Sequence, residues 1–198
     1  DYRINVRAKG KTCVDFALHG MVTYLMDSVF DEVKELPKKG VSSIKIFMAY
    51  NGSPLHVDDG SFYRILEESG KVGLTVFVHA ENGEILNFLR DECVKKGQLA
   101  PKYHYVPRPP FTEAEGVRRA IYLAQQTGTP LYVVHVTCKE ALQEIQEAQG
   151  KGINVGGETC THYLTVTKDV LDDPDFNKAA QYVCSPALRS QEHLDALW

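Results

Sequence analysis

The chain has 198 residues, 43% hydrophobic and 24% charged, enough apolar side chain for the core of one globular domain. A formal net charge of −4 without a long run of like charge offers no surface to nucleic acid or an anionic membrane, so a small, near-neutral partner is expected. The five cysteines (Cys13, Cys93, Cys138, Cys160 and Cys184) are odd in number and form no C-x-x-C pair, which argues against a disulfide framework or a cysteine zinc site and for a reducing cytoplasm.

No stretch approaches the roughly 18 apolar residues of a membrane span, and the charged Asp1-Tyr2-Arg3 start is no signal peptide. Thr12 to Leu18 reads as a strand. Met26 to Leu36 has helical spacing through Met26, Val29, Phe30, Val33 and Leu36, closed by Pro37 and Gly40. Ile44 to Ala49 has the pattern of a buried strand, His56 to Ser69 that of a helix broken off by Gly70, and Thr75 to His79 that of the next strand. Asn82 to Lys96 returns to helix through Ile85, Leu86, Leu89 and Val94. The Pro- and Tyr-rich stretch from Pro101 to Pro110 reads as an extended loop, a lid or a linker. Thr112-Glu113-Ala114-Glu115 has capping-box spacing and predicts a helix to about Gln126. A strand over Leu131 to Val136, a helix over Lys139 to Gln149, a strand over Ile153 to Glu158 and a terminal helix over Ser190 to Trp198 complete the reading.

Strands separated by helices imply parallel, right-handed βαβ crossovers buried on both faces. A closed (β/α)8 barrel needs eight strands and about 250 residues, whereas an open doubly wound sheet can be complete with five. Length alone therefore favours the open sheet. No G-x-G-x-x-G or P-loop pattern follows any strand to support it, however, and only the candidate site residues argue for the barrel.

Three runs, Ile44 to Tyr50, Val76 to Asn82 and Tyr132 to Thr137, each set one metal-competent side chain (Lys45, His79 and His135) in an apolar, β-branched and aromatic stretch. Metal-competent side chains toward the C-terminal ends of strands are what a barrel hydrolase requires. A histidine there projects into the mouth of the sheet, or else is a core histidine bonded to a carbonyl. Lys45 stands between Ile44 and Ile46, where an unpaired ammonium would be costly. Desolvation would free its neutral amine to take up carbon dioxide as a carbamate, an anionic oxygen donor able to bridge two cations. The alternative is an edge strand with Lys45 facing solvent.

The words around these residues carry a resemblance: K-I-F-M-A-Y from Lys45, V-H-A-E-N-G from Val78, P-K-Y-H from Pro101, P-L-Y-V-V-H-V-T from Pro130, G-E-T-C from Gly157 and S-P-A-L-R from Ser185. Together, in order and spacing, they resemble the bacterial-type dihydropyrimidinase and D-hydantoinase family of cyclic amidohydrolases, nearly end to end. The resemblance implies a TIM (β/α)8 barrel of which residues 1–198 are the central part, approximately strands 3 to 7. It implies two zinc ions, with manganese or cobalt as alternatives, bridged by N6-carboxylated Lys45 and bound by His79 and His135. Tyr50 inherits a catalytic, substrate-binding hydrogen bond, and Ser185 a main-chain contact to the substrate's cyclic amide. A dizinc-activated hydroxide then opens a hydantoin or dihydropyrimidine ring to an N-carbamoyl amino acid. The implied assembly is a homotetramer or homodimer at full length.

The chain also departs from the family. The first-strand His-x-His pair is absent, and the last-strand aspartate and β-sandwich domain would lie outside residues 1–198, so the piece alone is expected to be inactive. The alternative reading is a non-catalytic adaptor of the collapsin response mediator type, in which the strand-6 histidine is replaced; His135 is present here. His19, His56, His104 and His193 are read as structural, surface or loop residues, and His162 as near the mouth. Cys138 or Cys160 as a nucleophile would leave Lys45 unexplained, and no G-x-S-x-G elbow exists.

Overall fold

The computed structural model describes residues 8–23 and 25–198; the Asp1-Tyr2-Arg3 start lies outside them. Strands β1 (Gly20–Met21), β2 (Ser43–Phe47), β3 (Thr75–His79), β4 (Leu131–Val133) and β5 (Val155–Gly157) form one parallel sheet. Their spatial order, β1-β2-β3-β4-β5, is their chain order. A doubly wound sheet reverses order at a switch point, and this one never does, so the winding is that of a barrel sector.

Helices α1 (Asp27–Glu35), α2 (Asp59–Lys71), α3 (Gly83–Lys95), α4 (Pro110–Thr127) and α5 (Lys139–Gly150) fill the crossovers. After β5 come the shorter α6 (Thr161–Thr165), α7 (Phe176–Ala180) and α8 (Gln191–Leu197). Asp58 caps α2 by accepting from Ser61 N–H at 3.0 Å, and Asn82 caps α3 by accepting from Ile85 N–H at 3.1 Å. Among the described residues no helix is long and apolar enough to cross a membrane.

The period of two divides the sheet into two unlike faces. Ile44, Ile46, Val76, Val78, Leu131, Val133 and Val155 turn outward, none more than 6% exposed, and join one core with Ile65, Leu66, Val117, Ile121 and Ile145 of the helices. Burying each such side chain is worth about 1.5–3 kcal/mol, so helix cover stabilises strands of only three residues. The inward face carries Lys45, Phe77, Tyr132 and Gly156 in one registered layer. The Phe77 and Tyr132 rings stack at 4.7 Å. A Cβ on Gly156 would stand 2.8 Å from the Tyr132 ring, which accounts for glycine inside a strand.

Several sequence expectations change. The strand expected over Thr12 to Leu18 is irregular; residues 11–17 are exposed, and pairing begins only at Gly20 against Ile44. Alternation without a surface to bury does not make a strand. The helix expected from His56 begins at Asp59, because His56 is held in a bridge to Phe47, and it runs through Gly70 to Lys71. The Pro101 to Pro110 stretch is a series of tight turns, opened by Pro101 at the first position of a 3-10 turn, where its fixed φ fits. Helix α4 starts two residues before the expected cap; Thr112 sits inside its first turn and donates to the Pro109 carbonyl at 2.8 Å. The elements α6 and α7 have no counterpart in the sequence reading, being too short to show a period.

Candidate functional site

Lys45 is the middle residue of β2, a layer below the strand's C-terminal end, and β2 lies between β1 and β3 rather than at an edge. The solvent-facing alternative is thereby excluded. Its Nζ is buried without a hydrogen-bond partner and rests 4.7 Å from the centroid of the Phe47 ring. Desolvation lowers its pKa from 10.5 to about 7, against the opposing pull of the Glu158 carboxylate. The amine is therefore half neutral near physiological pH.

His79 ends β3, in register with Phe47, and is 2% exposed. His135 lies two residues past β4 with a φ of 46°. Its Nε2 stands 3.0 Å from Nδ1 of His79, while Nε2 of His79 meets Oε2 of Glu81 at 2.6 Å. A carboxylate can only accept, so Nε2 of His79 carries the proton and Nδ1 presents its lone pair toward His135. Burial first, then the charges of His79 and Lys45, drive the His135 pKa from 6.5 down to about 3, which keeps that ring neutral. Burial opposes ionisation of Glu81, but the hydrogen bond and charge of His79, with Arg108 and Arg189, hold its pKa below the ordinary value.

Two nitrogens on a tetrahedral ion at 2.0–2.1 Å would lie about 3.3 Å apart, so the observed 3.0 Å pair needs only a small adjustment to share one. The Glu81 contact is the carboxylate support that metal-binding histidines receive. Among the described residues no group of three His, Cys, Asp or Glu converges. The third donor on this face is the unpartnered Lys45 amine, which offers an anionic oxygen only as a carbamate. The residues present therefore fit a cation.

Tyr50 completes the wall. Its ring lies 5.2 Å from that of His79 and 5.8 Å from that of Phe47, and the Ser185 side chain is near enough to bear on its hydroxyl. Burial and the nearby Glu81 charge raise its pKa, so the phenol stays protonated. Tyr50, with φ 68°, and His135 are the non-glycine residues with positive φ among those described. Backbone held in that region is characteristic of residues over-determined by a site. The structure thus gathers Lys45, Tyr50, His79 and His135 at one mouth, with Ser185 close to Tyr50.

Sequence reasoning passed over Glu81, although its position two residues beyond His79 in extended chain gives both the same face. It also placed His104 and His193 among surface or loop histidines: His104 does stand in a turn of the Pro101 to Pro110 stretch, whereas the structure corrects His193, which is buried in α8. His104 is half-buried and donates from Nε2 to the Cys184 carbonyl at 2.7 Å, while His193 is buried and accepts from Lys139 N–H at 3.2 Å. His19 is structural, bonded to Ser43 at 2.6 Å below the Lys45 layer. His162 is exposed beside Tyr163 and reaches His135 through its charge.

Parallel strands in sequential order, with their polar residues gathered at one mouth, define a partial (β/α)8 barrel. No family model matches the chain. The D-hydantoinase of Ralstonia pickettii is 44% identical over 191 residues, covering 96% of this chain and 41% of that protein. The D-hydantoinase of Rhizobium radiobacter is 43% identical over 191 residues with the same two coverages. The solved D-hydantoinase of Bacillus sp. AR9, 40% identical, superimposes with a TM-score of 0.90 on 96% of this chain and 41% of its own. The chain belongs to the dihydropyrimidinase and hydantoinase family of cyclic amidohydrolases. It spans about two-fifths of the length of the curated relatives it matches.

Proposed function

We propose that the chain is the central part of a barrel domain whose mouth binds divalent cations and hydrolyses the amide bond of a small cyclic amide, a hydantoin or dihydropyrimidine. The observation that carries this is the pairing of His79 Nδ1 with His135 Nε2 at 3.0 Å above a buried, unpartnered lysine amine. On this reading Lys45, as its carbamate, His79 and His135 hold zinc, with the remaining donors on strands outside these five. The ions would lower the pKa of a water toward neutrality and polarise the ring carbonyl.

The chain's own residues have separate tasks. Glu81 fixes the tautomer of His79, and burial keeps His135 neutral, so both nitrogens stay available as donors. Tyr50, held protonated, donates to the carbonyl oxygen as charge develops there. Ser185, close to Tyr50, orients the ring through its main chain. Water adds its oxygen to the carbonyl carbon, the ring C–N bond breaks, and the nitrogen leaves as N–H in the N-carbamoyl amino acid.

The test is hydrolysis of dihydrouracil and hydantoin by the protein carrying this chain, prepared with zinc and bicarbonate and with its metal content measured. Turnover lost in Lys45→Met and His135→Ala, together with the metal, is the expected result. Metal-loaded protein without turnover on any cyclic amide would overturn the reading and restore the adaptor alternative.

A further inference from the structure

Arg189 is a heavily bonded buried charge that touches neither Lys45 nor the two histidines. Arg189 and Glu113 are a buried ion pair, their side chains 4% and 3% exposed, with Nη2 of Arg189 donating to Oε2 of Glu113 at 3.0 Å. Nε of Arg189 donates to the Thr137 hydroxyl at 2.9 Å, and Nη1 donates to the Arg108 carbonyl. Glu113 accepts from Thr137 twice, from its N–H at 2.7 Å and from its hydroxyl. One guanidinium and one carboxylate thus tie together the first turn of α4, the turns before it, and the segment leaving β4.

The two chain segments joined here are the ones that carry the site. Thr137 lies two residues past His135, and Arg189 closes the segment that begins at Ser185. Two further bonds anchor the stretch around Ser185: His104 Nε2 donates to the Cys184 carbonyl at 2.7 Å, and the Tyr163 hydroxyl to the Pro186 carbonyl at 2.6 Å. A buried ion pair is a poor way to add stability, since apolar replacements of similar volume are often neutral or better. Its directional fork is a good way to fix a distance.

Resting on the function proposed above, we infer that the Arg189–Glu113 pair is a positioning device. It sets the Ser185 main chain against the His135 loop, and so fixes where the ring of a cyclic amide lies relative to the ions. Arg189 and Glu113 act through Ser185 and Thr137 and are positioning residues.

The decisive variant is the double replacement Arg189→Met with Glu113→Leu, because either single change strands a buried charge. It is made in the protein carrying this chain and compared with wild type by thermal melt, zinc content, KM and kcat for dihydrouracil, and hydrogen exchange at the amides of Ala187, Leu188 and Thr137. The expected result is an unchanged melt and zinc content, faster exchange at those amides, and kcat/KM down about 10²-fold, chiefly through KM. A folded double variant with wild-type KM and exchange would overturn the inference. Should the double variant unfold, Arg189→Lys, which keeps the charge and loses the fork, is put through the same comparison, where raised KM with faster exchange supports the positioning role and wild-type values of both overturn it. A wild-type protein that turns over no cyclic amide defeats the proposed function instead, and the exchange comparison still decides the positioning role.

Discussion

His79 and Glu81, two residues apart on one extended strand end, meet at 2.6 Å with both side chains out of solvent. Removing the acceptor leaves the imidazole free to adopt the other tautomer, whose Nδ1–H would point at the proposed cation. Glu81→Leu is therefore expected to weaken zinc binding by about 10–100-fold, read by competition with a chelator of known affinity. Unaltered zinc affinity would show that ring packing alone orients His79.

The buried amine of Lys45 makes a signed statement about pH. Its pKa is about 7 in the folded chain and 10.5 when exposed, so between those values the unfolded chain holds the extra proton and stability rises with pH. Below about pH 7 both states are protonated and the full penalty stands. Denaturant melts of metal-free, bicarbonate-free protein at about pH 6 and about pH 10 are expected to show wild type gaining on Lys45→Met as pH rises. Parallel behaviour of the two would mean that the amine finds solvent.

Tyr50 contributes a proton donor and little packing that phenylalanine would not supply. Tyr50→Phe is expected to keep its zinc and to lose about 10²–10³-fold in kcat, the usual effect of removing one donor to a developing oxyanion. Loss of zinc with the hydroxyl would instead assign Tyr50 to holding the site together.

Gly116 and Gly150, both helical, are expected to respond to alanine with opposite signs. A Cβ on Gly116 would stand 2.7 Å from the carbonyl of Ala80 and 3.0 Å from Glu81 N, so Gly116→Ala should cost about 1–3 kcal/mol by pushing helix α4 off the end of β3. Gly150, at the end of α5, has nothing within 4 Å, and Gly150→Ala should add about 0.4–1 kcal/mol. Urea midpoints of the two variants check both.

Lys45, His79 and His135 were legible because each interrupts a run of β-branched and aromatic residues that has no other use for a polar side chain. Such runs also fixed β2 and β3 to within a residue or two. What escaped notice depended on partners far along the chain: His104 finds Cys184 across 80 residues, and Glu113 finds Arg189 across 76. Neither distance leaves a local period to read. The Thr12 to Leu18 segment failed for the converse reason, since its local alternation was real and no packing surface came to meet it.

Because every strand lies beside its predecessor, the sheet can be assembled by accretion as the chain emerges from the ribosome. Each new strand docks on an edge already made, after one intervening helical unit, and never waits for a distant partner. Among these five strands, the imidazole pair forms at the fourth, when β4 joins β3. Until that moment the nascent chain displays Lys45 and His79 without His135, and the proposed cation site lacks one of the three side chains named for it.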